Sequence, residues 1–133
     1  MSKSNPANRQ SSFSQAEYAG KKKQTRRDIF LAEMQVVVPW ERLIAVVEPY
    51  YPKSGKRGRP PIGIERMYFI QQWYGLADVA VEDALYDSQA LRNFCGIDLA
   101  VELVPDATTL MDFRHLLESR QLPQAMLQEV THY

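Results

Sequence analysis

The chain has 133 residues, 45% hydrophobic and 24% charged, which suits one domain with a modest core and excludes two large ones. The longest uncharged apolar run, Val36 to Trp40, is too short to cross a bilayer, and the lone Cys95 cannot form an internal disulfide. With no signal-peptide pattern, we expect a cytoplasmic protein that does not contact a membrane. The net charge of zero hides an asymmetry, because residues 1–66 carry thirteen bases and six acids, whereas residues 67–133 carry three bases and ten acids.

Such a split favours a basic region that binds a polyanion, most often a nucleic acid. The alternative is self-association, in which the basic face of one copy meets the acidic face of another. Residues 1–20 are polar and serine-rich, which predicts a disordered arm ahead of a helical domain spanning residues 21–133. Five bases at the start of that domain are candidate phosphate contacts: Lys21, Lys22, Lys23, Arg26 and Arg27.

The basic cluster leads into a predicted helix over residues 24–36. Pro39 is predicted to be the first residue of the next helix, since proline lacks the N–H that would have no partner there. A proline-rich and basic linker follows at 49–61, inside the domain, with Lys56, Arg57 and Arg59. Its segment Arg57-Gly58-Arg59-Pro60 resembles the core of an AT-hook, whose arginines enter a narrow minor groove. A solvated basic linker is the alternative interpretation.

Beyond the linker, the apolar spacing predicts a helix from about Ile62 to Tyr74 that ends at Gly75. Asp78 is then predicted to cap a helix that runs to Asp87. Ser88 is predicted to cap a helix over 89–94, and Asp106 one over 107–119, before a last helix from Pro123. No segment alternates at period two for long enough to predict a strand. The expected fold is therefore mainly α.

The helices over 78–87, 89–94 and 107–119 could form a helix-turn-helix-like unit. Thr108, Thr109 and Arg114 would then lie on its recognition helix as candidates for base contact. The acidic pairs of the first helix, such as Asp78 with Glu82, are expected to face solvent. Neither histidine lies near a second ligand, and Cys95 is expected to be a buried packing residue, so we predict no catalytic or metal-binding residue.

Ordered segments across residues 12–128 resemble the N-terminal domain of bacterial insertion-sequence-five-type transposases. They include Val38-Pro39-Trp40, Glu48-Pro49-Tyr50-Tyr51-Pro52, Gly58-Arg59-Pro60-Pro61, Pro105-Asp106-Ala107-Thr108-Thr109 and Phe113-Arg114-His115-Leu116-Leu117-Glu118. The resemblance implies a DNA-binding and assembly domain followed by an RNase H-like catalytic domain. In the family, that second domain carries a DDE triad that holds two divalent metal ions, Mg²⁺ among them.

The chain stops at Tyr133, before any position that matches the triad, so we expect a truncated transposase with no catalytic residue and no cofactor. The expected partner is double-stranded DNA, at the terminal inverted repeats of the element. A second copy of the chain and a full-length transposase are further candidate partners.

Three alternatives remain. The chain could be an interaction module that inhibits full-length transposase, or a catalytic half whose other half lies in a downstream reading frame. It could also be a non-functional relic. The family pattern has about three more residues between Arg66 and Gln71, and losing three residues turns the following helix face by about 60°. This change is the observation that favours a relic.

Overall fold

The computed structural model describes residues 23–51 and 61–132, which are helical and contain no strand. The predicted mainly α fold is therefore confirmed for these residues. In chain order, the helices are α1 (Arg26–Val37), α2 (Trp40–Val47), a 3₁₀ turn (Glu48–Tyr50), α3 (Ile62–Tyr74), α4 (Asp78–Asp87), α5 (Gln89–Cys95), α6 (Ala107–Ser119) and α7 (Leu122–His132). None of the described helices is long and apolar enough to cross a membrane. The predicted arm over residues 1–20 and linker residues 52–60 lie outside the described residues.

Short-range hydrogen bonds set the starts of three helices. At α1, Thr25 Oγ1 accepts from the Asp28 N–H at 3.1 Å, and the Asp28 carboxylate accepts from the Thr25 N–H at 2.9 Å, which forms a capping box. Ser88 caps α5 and Asp106 caps α6 in the same manner, as predicted. These caps fix the first turns of helices that are too short to be stable in isolation.

Helix α3 lies at the centre of the bundle and packs against α2, α4, α5 and α6. Near its start it approaches α5 closely, because a Cβ added to Gly63 would lie 3.3 Å from the Cys95 carbonyl oxygen. The core around α3 includes side chains with no exposed surface, from four helices: Leu43, Val47, Met67, Ile70, Val81, Leu85, Leu110 and Leu117. Burial of these side chains is the main stabilising contribution in a domain of this size.

An aromatic cluster joins α1, α2, α3 and α5 on one side of the core. Trp40 packs edge-on against Phe69 and Phe94, with ring centroids 5.2 and 5.6 Å apart, and its indole N–H donates to the Met34 carbonyl at 3.1 Å. Trp73 packs against Phe30 at 5.1 Å. The three-residue difference from the family pattern lies between Arg66 and Gln71, and α3 is a continuous helix across this stretch. Trp73, which follows it on α3, packs in the aromatic cluster.

Three details of the sequence prediction are wrong. Pro39 caps α2 rather than opening it, and α7 begins at Leu122, one residue before Pro123. Asp78 does not cap α4, because the N-cap residue is Ala77 and the Asp78 side chain makes no capping hydrogen bond. Asp78 instead binds side chains of α3 and α6, and this contact positions part of the site described next.

Candidate nucleic-acid interface

The predicted basic cluster lies at the start of α1. Lys23, Arg26 and Arg27 are exposed there, and Arg26 and Arg27 occupy the first turn of the helix. The other predicted bases, namely Lys21, Lys22, Lys56, Arg57 and Arg59, lie outside the described residues. Three cations within five residues make the start of α1 the most basic part of the described surface.

Arg27 is held in place by an aromatic side chain of α3. Its guanidinium carbon lies 5.5 Å from the centre of the Tyr74 ring, within range of a cation–π interaction. Phe30, one turn along α1, packs edge-on against Tyr74 with ring centroids 6.0 Å apart. The basic start of α1 is therefore fixed against the carboxyl end of α3.

The predicted recognition helix α6 begins between two carboxylates. Asp106 accepts hydrogen bonds from both the N–H and the hydroxyl of Thr109, each at 2.8 Å. Glu82 on α4 accepts from the Ala107 N–H at 2.8 Å, so the expectation that Glu82 only faces solvent is wrong. These acids compensate the positive end of the helix dipole, which makes the start of α6 a poor phosphate site. Thr108 is exposed beside them.

Arg114, the third predicted residue of α6, forms an ion pair with Asp78. Gln71 on α3 also donates to the Asp78 carboxylate, at 2.7 Å. The hydrogen bond from Arg114 holds the pKa of Asp78 below its usual value, and the same bond raises the pKa of Arg114. Asp78 is thus a structural acid that links α3, α4 and α6, and the expectation of a purely solvated side chain is wrong.

The structure brings two of the predicted regions to the same end of α3. Arg27 stacks on Tyr74, and Arg114 reaches Gln71, which lies one helical turn before Tyr74. Thr108 and Thr109 lie on the first turn of α6, about 8 Å along the helix from Arg114. The described candidates therefore lie in three places: the basic start of α1 beside Tyr74, Arg114 in its ion pair with Asp78, and the acidic start of α6.

Groups suited to other chemistry are absent from the described residues or are buried. No three of the described histidines, cysteines and acids lie together as metal ligands. Cys95 is buried, and burial raises the pKa of its thiol to about 12, which disfavours the reactive thiolate. The predicted packing role of Cys95 is confirmed.

Sequence reasoning did not find the two charged residues at the start of α3. Glu65 has no exposed surface, and neither carboxylate oxygen has a hydrogen-bond partner among the described residues. Burial raises the pKa of Glu65 to about 8, and the nearby Arg66 opposes this shift. No sequence signal distinguishes this glutamate from a surface one, because glutamate is almost never fully buried.

Arg66 fastens three helices to α3. It donates to the Phe94 carbonyl at 2.8 Å and to the Gln35 side chain, and its guanidinium carbon lies 4.5 Å from the centre of the Trp40 ring. A cleft of about 730 Å³ opens beside it, between the end of α1, α2 and the start of α3. Two acids, Glu41 and Glu48, and two bases, Arg42 and Arg66, lie on the wall of this cleft, so its lining has no net charge that would select an anionic partner.

Residues 19–116 match the family model of a transposase domain. The match begins before α1 and ends within α6, and it covers well over half of the chain. The chain therefore belongs to this family, the transposase domain DUF772. No solved structure matches the chain.

Proposed function

We propose that this chain is the DNA-binding and assembly domain of an insertion-sequence-five-type transposase, which acts in transposition by binding the terminal inverted repeats of its element. The family match supports a role in transposition. The observation that carries the DNA-binding proposal is the basic start of α1, with Lys23, Arg26 and Arg27 exposed and Arg27 fixed on Tyr74. A fixed guanidinium loses little side-chain entropy when it binds a phosphate.

In this proposal the bases bind the phosphate backbone, which supplies affinity but no sequence selection. Lys21 and Lys22 extend the α1 cluster, and Lys56, Arg57 and Arg59 enter a groove. Selection would come from exposed Thr108 on α6. Thr109 is bound to Asp106 and Arg114 to Asp78 in the unbound chain. Each of the two can contact a base only after it breaks that bond.

The proposal assigns binding to this chain and strand cleavage to the RNase H-like domain of the family. Two-metal cleavage needs carboxylates that converge on ions about 4 Å apart. Three of the described acids have other contacts: Asp78 pairs with Arg114, Glu82 binds the start of α6, and Asp106 caps that helix. The divalent metal, Mg²⁺ in our proposal, belongs to the cleavage domain.

The experiment is a fluorescence anisotropy titration across a salt series. The probes are a duplex from the inverted repeats that flank the gene and a scrambled duplex of the same composition. We expect tighter binding to the repeat and a steep salt dependence, in which each phosphate contact adds about −0.9 to the slope of log K against log salt. The variants R26Q and R27Q should each weaken binding to both duplexes. Each should also make the slope shallower by about 0.9, the value of one phosphate contact.

R120Q is the matched control, because Arg120 is an exposed arginine that stacks on Tyr50 at 5.2 Å, much as Arg27 stacks on Tyr74. It lies at the end of α6, away from the basic cluster, and should bind like the wild type. An equal loss in R120Q and R27Q would reject the α1 start as the DNA contact. A folded chain that binds neither duplex would reject the DNA-binding proposal and favour the interaction module.

A further inference from the structure

The first turn of α3, residues 62–65, buries an acid that has no partner. Glu65 has no exposed surface, and neither of its carboxylate oxygens accepts a hydrogen bond from a described residue. Arg66 follows it in sequence but lies about 100° further around the helix, and it binds the Phe94 carbonyl and the Gln35 side chain instead. An ionised Glu65 therefore has no hydrogen-bonded counter-charge inside the core, which makes its buried charge costly.

Charged groups on the neighbouring helices do not supply the missing partner. Arg66 is the described charge that acts on Glu65, and its attraction lowers the pKa of that acid. In the described part of the chain, no group on the helices packed against α3 donates a hydrogen bond to either Glu65 oxygen. On α2 and α5 the charged and titratable groups are Glu41, Arg42, Arg92 and Cys95. On α4 and α6 they are Asp78, Glu82, Asp83, Tyr86, Asp87, Asp112, Arg114, His115 and Glu118.

The same turn is held weakly by its own backbone. Pro61 is the N-cap residue of α3 and makes no side-chain capping bond, whereas Thr25, Ser88 and Asp106 cap α1, α5 and α6. Gly63 lies within the turn, and glycine loses more conformational freedom in a helix than any other residue. Because helix ends open more readily than helix interiors, unwinding of this turn is the shortest route by which Glu65 reaches water.

We propose that ionisation of Glu65 releases the first turn of α3 from the core while the rest of the domain stays folded. In the neutral form, Glu65 and its neighbour Ile64, which is 2% exposed, keep the turn packed. In the ionised form, the carboxylate moves to solvent and residues 62–65 leave the helix. The turn lies against α5, where a Cβ added to Gly63 would be 3.3 Å from the Cys95 carbonyl oxygen, so its release uncovers Cys95. This inference does not depend on DNA binding.

The direction of the pH dependence follows from the pKa of Glu65, which burial raises from its ordinary value of 4.5 to about 8 in the packed turn. In the released turn the carboxyl is solvated and has its ordinary pKa. The packed form therefore holds an extra proton between these two values. The ratio of released to packed turns should rise about tenfold per pH unit across that range and level off above it.

Labelling of Cys95, the single cysteine of the chain, by a thiol reagent measures the release. Dividing the rate in the urea-unfolded chain by the rate in the folded chain at the same pH removes the effect of thiol ionisation and gives a protection factor. The protection factor of the wild type should fall about tenfold per unit between about pH 6 and pH 8. That of E65Q, which cannot ionise, should stay constant, and E118Q, at an exposed glutamate, should follow the wild type. A constant protection factor in the folded wild type would overturn the proposal.

A second thiol separates release of one turn from unfolding of the whole domain. Met126 is 3% exposed on α7, which packs on α2 and α6, so the double variant C95S/M126C carries one buried thiol on another helix. The comparison uses the urea dependence of labelling, because the substitutions themselves change the stability of the domain. Below the unfolding transition, labelling of Cys95 should change less than twofold with urea, since one turn exposes little surface, whereas labelling at position 126 should accelerate steeply. An equally steep acceleration at Cys95 would mean that the domain opens as a whole and would overturn the local release.

Discussion

The two ends of helix α3 hold charged side chains in opposite ways. At the amino end, Glu65 is fully buried without a described partner, and the adjacent Arg66 binds a backbone carbonyl and aromatic rings rather than the acid. Beyond the carboxyl end, the half-buried Asp78 pairs with Arg114 and accepts from Gln71. The same type of group, a carboxyl, thus has a raised pKa at one end and a lowered pKa at the other.

The difference shows that a direct hydrogen bond from an arginine, and not the nearness of its charge alone, decides whether the pKa of a carboxyl is lowered or raised. Arg66 follows Glu65 in sequence, yet burial outweighs its attraction and Glu65 favours its neutral form. Arg114 is 36 residues from Asp78, yet its direct hydrogen bond outweighs the burial of that acid. The carboxyl end of α3, where Asp78 and Arg114 are paired, is also the end at which Arg27, a proposed DNA contact, stacks on Tyr74. The side chains of the pair are partly exposed there, so solvent can reach them.

The largest expected effect concerns Glu65 and the pH dependence of stability. The unfolded chain releases this proton near the ordinary value of 4.5, whereas burial raises the pKa in the folded chain to about 8. The folded state holds the extra proton between these values, so the free energy of unfolding falls as the pH rises from 4.5 to 8 and then levels off. One pKa unit corresponds to about 1.4 kcal/mol, so the ionisation of Glu65 lowers the free energy of unfolding by several kcal/mol across this pH range.

Glu65→Gln has nearly the same shape and cannot ionise. We expect E65Q to match the wild type near pH 5 and to exceed its melting temperature by about 10 °C or more at pH 9. Thermal unfolding by circular dichroism at several pH values measures the difference. Glu118→Gln, at an exposed glutamate of α6, is the control and should follow the wild-type profile. Parallel profiles for E65Q and the wild type would show that Glu65 is not the neutral buried acid.

The next effect concerns Arg66, the other charge at the amino end. Arg66→Met keeps a long side chain against Trp40 but leaves the Phe94 carbonyl without its donor, so the free energy of unfolding should fall by about 2 kcal/mol. Loss of the positive charge also removes the attraction that opposes the rise in the Glu65 pKa, so the decline in stability still begins near pH 4.5 but continues to a higher pH. Urea unfolding of R66M at several pH values tests both effects.

Arg120→Met provides the comparison for Arg66→Met, because Arg120 also stacks on an aromatic ring but is exposed. We expect a change of about 0.5 kcal/mol or less, with no shift in the pH profile. If R66M and R120M lose the same amount of stability, Arg66 does not fasten α1, α2 and α5 to α3. The difference between the two variants therefore measures what burial and the hydrogen bond to the Phe94 carbonyl together add to an arginine–aromatic contact.

Local sequence signals predicted the helices but not the contacts between them. Thr25, Ser88 and Asp106 act within three residues of their own positions, so sequence spacing alone identifies helix starts. Gly75 and Gly96 end α3 and α5 with positive φ angles of 62° and 72°, which side chains other than glycine rarely adopt. Boundaries moved by one or two residues, as at Pro39 and Pro123, where proline fits more than one position near a helix start.

The rest could not be predicted, because it depends on residues far apart in the chain. The bond from the Ala107 N–H to Glu82 spans 25 residues, and the Asp78–Arg114 pair spans 36. Helical periodicity places Asp78 and Glu82 on one face but does not show that α6 covers that face. Glu65 is hidden for a related reason: several helices surround α3 near its start, so even the positions between its apolar residues are buried.

The smallest expected effect is at the carboxyl end, where Asp78 and Arg114 form a half-buried pair. Because the pKa of Asp78 is lowered in the folded state, its stabilising contribution is present above the ordinary value of 3.8 and disappears as the pH falls through the lowered folded value. This dependence has the opposite sign to that of Glu65. Asp78→Asn should therefore cost about 1 kcal/mol at pH 7 and progressively less below pH 4.

A double-mutant cycle separates the pair from its surroundings. D78N and R114Q should each reduce stability, and the double variant should lose less than the sum, with a coupling energy of about 1 kcal/mol in urea unfolding at pH 7. Asp83→Asn is the control for charge removal on α4, and should show no coupling to R114Q. Additive losses would mean that Asp78 acts through Gln71 instead. Coupling that persists at 1 M salt would show that the pair is shielded from solvent, whereas its loss would show that dissolved ions screen the pair.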